Sequence, residues 1–348
     1  MKTVFVGLSG GVDSAVSAAL LKEAGYTVVG CFIKIWQPEF IECTWKEDRL
    51  DAMRVCAALD IPFQEIDLSN EYGDEVIGDM IEGYKRGITP NPDILCNSRI
   101  KFGHFARWAF EHGADIIATG HYARIEKNEE EYRLLRGRDM NKDQSYFLWQ
   151  LKRDDLKKIL FPVGSLTKSE VRAHAARFSL PVAAKRDSQG LCFVGGITLP
   201  EFLRRYMRVE QGDLFNEQGK KIGMHEGAVL YTLGQRHGFT VKHAKSDEVP
   251  YFVIATDIVN NTITVSRDKM GAARTELTLH ASNHLQAASK NTFRAEAQVR
   301  YREPAVAADF ENIGDTMRVH LQEKKIAAPG QSLVMYEGER VLGGGIIE

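Results

Sequence analysis

The chain is expected to be a multidomain α/β protein, with a parallel-sheet N-terminal domain, a small β-rich central domain and a C-terminal β-barrel. Three features of the sequence predict this. In the first half, apolar strand runs alternate with helix-period segments, the pattern of a parallel sheet covered by helices. After about residue 196 the texture changes to short strands broken by turns. From about residue 266 the chain reads as alternating strands to its end, as a barrel requires. A length of 348 residues is more than one compact core holds. The expected domains are 1–196, 197–265 and 266–348.

Strands are predicted at 3–9, 27–34, 61–67 and 114–119, with helices at about 12–24, 44–59, 71–86 and 98–112 between and after them. Thr44 and Glu47 form a capping-box pair, and Gly25 stands where the first helix stops. Val76, Ile77, Met80, Ile81 and Tyr84 share one face of the third helix, the ordinary signature of core packing. A hairpin at 122–135 turns through Lys127–Glu130, and a capped helix follows at 167–178 with Thr167 and Glu170 in the reciprocal positions. A further helix runs from Thr198 to about Met207. Turns at Asn216–Gly219 and Val259–Thr262 then separate short strands.

Composition excludes several classes. No apolar run approaches the roughly 20 residues that cross a membrane as a helix, and the chain opens directly into a strand rather than a leader. A cytoplasmic protein is expected. The five cysteines, Cys31, Cys43, Cys56, Cys96 and Cys192, include no Cys-x-x-Cys pair and no zinc spacing. A formal net charge of −2 gives no global sign of nucleic-acid binding, so any such contact must come from local basic patches.

The sharpest signal in the first domain is Ser9-Gly10-Gly11-Val12-Asp13-Ser14, between an apolar strand and an alanine-rich helix. Open amides at a helix N-terminus, with its dipole, make a phosphate site, and glycines let the backbone approach the phosphates. Ser9 and Ser14 can donate hydroxyl hydrogen bonds, and Asp13 suits a magnesium ion riding on the phosphates, since a bare carboxylate would repel them. The plain alternative is a capped helix after a glycine turn. The kinase-type loop is absent, because no lysine occupies this turn. The pattern resembles instead the pyrophosphatase loop of N-type ATP pyrophosphatases, which adenylate a carbonyl oxygen and release pyrophosphate.

Two cysteines lie in polar, turn-forming segments rather than on apolar faces. Pro90-Asn91-Pro92-Asp93-Ile94-Leu95-Cys96-Asn97 is stiffened by two prolines, expected to present Asn91 and Asp93 outward. Cys96 is expected just before a helix that starts near Ser98, where the dipole and Arg99 or Lys101 would lower its pKa. Asp187-Ser188-Gln189-Gly190-Leu191-Cys192-Phe193 is glycine-containing, with Lys185 and Arg186 beside it. Arg133, Arg136, Arg138 and Lys142 form one basic stretch and Arg204, Arg205 and Arg208 another. His104, His112 and His174 read as surface or packing residues.

These segments, with Gly120-His121-Tyr122, Asn141–Tyr146, Tyr231–Arg236, Val299–Arg302 and the terminal Gly343–Glu348, resemble the tRNA-specific 2-thiouridylase family (MnmA/TrmU) over essentially the whole chain. The resemblance implies a Rossmann-like PP-loop ATP pyrophosphatase domain followed by a tRNA-contacting central domain. It implies ATP held by Gly7, Leu8, Ser9, Gly10, Gly11, Val12, Asp13 and Ser14 with Ile33 and Gly120. Cys192 would receive sulfur as a persulfide from a donor protein, and Cys96 would be the nucleophile that partners it. Asn91, Pro92 and Asp93 would surround the target base, with Asp93 moving protons. His121, Lys142, Asp143, Gln144, Arg300, Tyr301 and Gln331 would touch tRNA. Lys34-Ile35-Trp36 and Gln37–Glu42 depart from the family pattern near the adenine pocket. Three other readings fit parts of the sequence: a PP-loop pyrophosphatase acting on a small-molecule carbonyl, an RNA-binding module that keeps a nucleotide site without chemistry, and an iron–sulfur site at Cys96, Cys192 and Asp93.

Overall fold

The computed structural model describes residues 1–41, 45–129, 131–186, 197–242, 249–286 and 291–348. The N-terminal part contains strands β1 (Thr3–Leu8), β2 (Thr27–Lys34), β3 (Phe63–Asp67) and β4 (Ile116–Ala118), then a hairpin of β5 (Ala123–Asn128) and β6 (Glu131–Arg136), then β7 (Ile159–Leu160). β3-β2-β1-β4-β7 form one sheet, parallel throughout. Its central strands read as near-continuous apolar runs because helices cover both faces. Val4, Val6 and Leu8 pack into one core layer, while Phe5 and Cys31 point to the other.

The helices are α1 (Val12–Glu23), α2 (Trp45–Ala58), α3 (Ser69–Tyr72), α4 (Asp79–Lys85), α5 (Pro92–Leu95), α6 (Ala106–Glu111), α7 (Lys168–Arg177) and α8 (Leu199–Leu203). α1 lays Val12, Ala15, Val16, Ala18 and Ala19 against the sheet; these small residues let it sit close. The predicted capping box of α7 is present, with Thr167 and Glu170 bonded reciprocally, and Thr198 and Glu201 do the same for α8. Thr44, of the other predicted box, lies outside the described residues.

Two expected helices are composite. The one expected at 71–86 is α3, a π-helical segment Gly73–Gly78 and α4, and its predicted core face is buried as expected. The one expected at 98–112 begins at Pro92 and passes through a π-helical segment, Cys96–Phe105, into α6. The start was misplaced because Asn91 is the cap. Its side-chain oxygen accepts from the Asp93 and Ile94 amides, and Pro92 takes the first helical position, where a missing N–H costs nothing.

The central part is a mostly antiparallel sheet, β8 (Gly212–Asn216), β9 (Lys221–His225), β10 (Phe239–Val241), β11 (Phe252–Asp257) and β12 (Thr262–Ser266), in the order β10-β9-β8-β12-β11. Both predicted turns join strands within it. The C-terminal strands are β13 (Arg274–His284), β14 (Thr292–Gln298), β15 (Val306–Ile313), β16 (Thr316–Lys325), β17 (Ser332–Glu337) and β18 (Arg340–Ile347). They run β13-β16-β15-β14-β17-β18 and close where β18 pairs back onto β13. β16 alternates buried Met317, Val319 and Leu321 with exposed Arg318, His320 and Gln322, as a strand with one wet face must.

The predicted hairpin belongs by sequence to the first domain, yet it extends the barrel's sheet, with Leu135 opposite Arg340. The loop after it seats on β17. The Tyr146 hydroxyl donates to the Ser332 carbonyl at 2.7 Å, and the Asn283 amide reaches the Trp149 and Leu151 carbonyls at 2.6 and 2.8 Å. The first domain and the barrel are thereby joined. Among the described residues no helix is long and apolar enough to cross a membrane.

Candidate active site

At the C-terminal end of β1 the chain turns through Ser9 and Gly10 into α1. Gly10 has φ +72°, and a Cβ there would sit 2.5 Å from the Asp48 carbonyl oxygen, so only glycine fits. Gly11 caps α1 with no side-chain hydrogen bond, leaving the first amides open to an anion. The Ser9 amide donates to Ser14 Oγ at 3.2 Å, and Ser14 Oγ donates to the Gly11 carbonyl at 3.2 Å, which tightens the turn. Gly120 approaches from the next strand end; a Cβ there would lie 2.5 Å from the Ser14 nitrogen. Ile33 borders Gly7, its Cδ1 3.7 Å from where a Cβ on that glycine would stand. The fold therefore gathers the nucleotide residues predicted from sequence. Beyond Ile33 a cleft of about 310 Å³ opens between Lys34, Trp36, Gln37, Glu39 and Trp45, the segment that departs from the family pattern.

Asp13 is not the bare carboxylate that the sequence reading assumed. Lys168 Nζ stands 2.7 and 2.9 Å from its two oxygens, and the Tyr122 hydroxyl donates to Oδ1 at 2.8 Å. The loop's charge alone thus does not demand a metal. Lys168 was missed because it enters from α7, far along the chain. The only local signal was its place at the first position after the Thr167 cap.

The second half of the site is the segment from Thr89 to Phe105. The Thr89 amide donates to the Pro329 carbonyl at 2.8 Å and its hydroxyl to Thr232 Oγ1 at 2.9 Å, so all three domains meet just before Asn91. Asn91 does not project outward as expected, because its side chain caps α5. Pro92 is buried. Asp93 is half-buried; desolvation raises its carboxyl above the usual carboxylate range, with the Lys101 charge opposing that rise. Cys96 is half-buried and lies inside the helix that starts at Pro92 rather than just before one, so the N-terminal end expected to activate it is already a turn behind. Arg99 is also occupied elsewhere, bonded to the Glu75 carbonyl and the Asp79 carboxylate. Cys31 and Cys56 are buried thiols pushed up by desolvation, Cys56 to about 11.

His121 is buried between Phe102 and Phe161, at ring distances of 6.0 and 5.8 Å, with Nδ1 2.7 Å from Thr119 Oγ1. Burial, and secondarily the Lys101 charge, holds the imidazole well below its ordinary pKa, so it is neutral at neutral pH. In this structure it supports the pocket from behind instead of offering an exposed contact.

The residues expected at tRNA divide. Arg300 donates to the Leu233 carbonyl at 2.7 Å, Tyr301 packs on Phe147 at 4.5 Å, and Gln331 Nε2 reaches the Thr89 carbonyl at 3.5 Å. These three converge on the rim beside Asn91. Lys142 is half-buried on the same loop as Gln144, whose Oε1 accepts from the Tyr122 amide at 3.0 Å. Asp143 is a correction. It is buried, and its oxygens accept from the Gly137 and Ser145 amides, the Ser145 hydroxyl and Arg136, so they serve the fold and not RNA. Arg136 is likewise no surface charge, lying 3.4 Å over the Tyr336 ring with its side chain 11 % exposed. Arg133 and Arg138 pair with Glu131 and Glu170, and Arg204 and Arg208 with Glu226 and Glu210.

Cys192, Asp187 and Ser188 lie outside the described residues. The chain leading toward them is anchored, however: Lys185 bonds Asp48 and Asp51 of α2, each at 2.7 Å, beside the Asp48 carbonyl that faces Gly10. Among the described residues no group of three or more His, Cys, Asp or Glu side chains could hold a metal ion.

Three family models match the chain in succession: the tRNA methyl transferase HUP domain over residues 2–196, the tRNA methyl transferase PRC-barrel domain over 200–267, and the aminomethyltransferase beta-barrel domain over 274–347. The chain is similar to a protein of Streptococcus thermophilus named tRNA-specific 2-thiouridylase MnmA, with 42% identity covering 99% of this chain and 95% of the relative. A protein of the same name from Pasteurella multocida is 43% identical, covering 100% of this chain and 93% of the relative. One from Flavobacterium johnsoniae is 39% identical over the full length of both. With its three sheets in this order and relatives matched from end to end, the chain belongs to the tRNA-specific 2-thiouridylase family.

Proposed function

We propose that this protein is an ATP-dependent tRNA-uridine 2-sulfurtransferase that forms 2-thiouridine at the anticodon wobble position. The observation that carries the reading is the stretch Thr119-Gly120-His121-Tyr122. Gly120 packs on Ser14 and Tyr122 bonds Asp13 on the nucleotide side, while His121 packs on Phe102 of the Cys96 helix. One strand end thus joins the loop at the head of α1 to the helix that carries Cys96, with Asp93 in its first turn, where desolvation raises the carboxyl's pKa.

A uridine C2 carbonyl is a poor electrophile, and its oxygen a poor leaving group. That oxygen attacks the α-phosphorus of ATP, the α–β anhydride bond breaks, and pyrophosphate leaves against the open amides of α1. Asp13, released from Lys168, would offer one carboxylate to a magnesium ion carried by the nucleotide, and that ion would neutralise developing phosphate charge. One protein carboxylate beside phosphate oxygens suits that ion. Lys168, now on Asp13, lies within reach of the same phosphates.

The terminal sulfur of a Cys192 persulfide, loaded by a donor protein, then attacks C2, and AMP leaves with the former carbonyl oxygen. Cys96 thiolate displaces the thiolated base from Cys192, leaving a Cys96–Cys192 disulfide that an external dithiol must reduce. Alternatively Cys96 attacks the persulfide first and releases hydrosulfide as the nucleophile. Asp93 moves protons beside the base. Asn91 and Pro92 set the helix that presents it, and Arg300, Tyr301, Gln331, Lys142 and Gln144 line the approach of an extruded anticodon base. The setting is the cytoplasm.

A pyrophosphatase for small carbonyl substrates needs neither the thiol nor the three-domain rim. Nucleoside analysis of tRNA tests the choice: cells lacking this protein should lose wobble 2-thiouridine and regain it from a plasmid copy. Unchanged 2-thiouridine would reject the assignment.

A further inference from the structure

The chain entering α5 has few groups by which it can be held. Pro90 and Pro92 carry no N–H, and the Asn91 side chain is spent on capping the helix. Thr89 is the last residue before Asn91 with an amide to donate, and its amide, carbonyl and hydroxyl are all taken by other domains. The amide donates to the Pro329 carbonyl at 2.8 Å, and Gln331 Nε2 reaches the Thr89 carbonyl at 3.5 Å, both from the barrel. The hydroxyl donates to Thr232 Oγ1 at 2.9 Å, from the central domain. Two residues earlier Gly87 has φ +75°, and a Cβ there would collide with Ile258 of that same domain. The central domain therefore grips this segment at Gly87 by packing and at Thr89 by a hydrogen bond.

The turn that carries Thr232 is itself pinned. The Thr232 amide donates to Gln235 Oε1 at 3.3 Å, and the Gly234 amide donates to the Val253 carbonyl of β11 at 2.8 Å. Arg300 Nη2 donates to the Leu233 carbonyl at 2.7 Å, so the barrel holds the turn as well. Beyond Thr89 the chain is stiff. Both prolines fix φ, so a shift at Thr89 is carried to Asn91 rather than absorbed. Asn91 Oδ1 in turn accepts from the Asp93 and Ile94 amides at 3.2 and 3.3 Å, which sets the start of the helix that bears Asp93 and Cys96.

We propose that Thr232 is a positioning residue for the adenylation step, setting through the Thr89 hydroxyl where Asn91, Pro92 and Asp93 hold the target base against the nucleotide loop. The proposal rests on the reading of that segment as the base pocket. Thr232 acts on the base only through Thr89. One neutral hydroxyl pair adds little to the stability of a chain whose domains meet over many contacts, whereas an ångström of misplacement at the reacting group can cost ~100-fold in rate. Rate and stability therefore separate the positioning role from a merely structural one.

The test is first-turnover pyrophosphate release by the full chain, with saturating ATP and an unmodified tRNA transcript that carries uridine at the wobble position. Thr232→Val keeps the side chain's shape and removes its hydroxyl. It should slow release about tenfold or more, with the Kd for tRNA and the KM for ATP changed by no more than about twofold. Thr232→Ser should restore most of the rate. Thr89→Val should cost as much as Thr232→Val, and the double variant no more than either, because the same contact is lost in all three. An unchanged rate in Thr232→Val would overturn the proposal. So would a loss confined to tRNA affinity, which would make the hydroxyl an RNA contact, or a loss that Thr232→Ser shares in full. If Thr232→Val does not fold, Thr232→Ala carries the same measurement. Failure of the underlying reading looks different: the unaltered chain would release pyrophosphate equally well without tRNA, and the proposal would fall with it.

Discussion

Asp93 sits where burial favours a neutral carboxyl, and this has a consequence for stability as well as for proton transfer. Its folded-state pKa is raised, so the folded chain holds that proton more tightly than the unfolded chain does. The stabilisation is present at low pH and is lost as pH rises from the ordinary carboxylate range through the raised value. Asp93→Asn should therefore make the protein more heat-stable at pH 8, with the gain vanishing in acid. The same variant should lower thiolation about 100-fold or more if the carboxyl moves a proton. Melting curves across pH, beside single-turnover thiolation, check both halves; a pH-independent change in melting temperature would remove Asp93 from the titrating groups. The residue types at this site were legible because proline, asparagine and cysteine in one polar stretch have little to do in a core. The burial of His121 was not, since it depends on Phe102 and Phe161 packing on it from other elements.

At the scale of elements, α1 and α7 are joined by the Asp13–Lys168 pair, with side chains 31 and 17 % exposed. Asp13→Ala and Lys168→Met should each lower tRNA-dependent pyrophosphate release about 100-fold, the magnitude typical of losing one preorganised charge contact. The double variant should cost much less than the product of the two, because each single change leaves its partner unmatched. Strictly multiplicative losses would mean that the pair does not act as a unit. The strand–turn–helix of the nucleotide loop was readable from local sequence, as was the α7 capping box. The meeting of α7 with α1 is a tertiary contact across 155 positions, and no periodicity encodes it. The π-helical winding after Cys96 was equally hidden, because apolar spacing over one turn does not distinguish it from an α-helix.

Across the whole molecule, the hairpin β5–β6 and the loop behind it bind the first domain to the barrel, with Arg136, Asp143 and Tyr336 at the joint. Arg136→Met should destabilise the fold by about 3–5 kcal/mol, as expected when one member of a buried ion pair is removed, yet leave the salt dependence of tRNA binding unchanged. Arg300→Ala should weaken binding and flatten that salt slope by roughly one unit if the guanidinium meets a phosphate. Salt titrations of the two variants decide which arginine faces RNA. The three-part architecture could be read from the change in strand texture, but the hairpin's attachment to the barrel could not, because its sequence fits either sheet. The central claim is that the uridine's own C2 oxygen is adenylated. Transfer RNA carrying ¹⁸O at C2 of the wobble uridine, followed through one turnover, tests it most directly. The account predicts ¹⁸O in the phosphate of the released AMP, and AMP free of the label beside fully formed 2-thiouridine would contradict it.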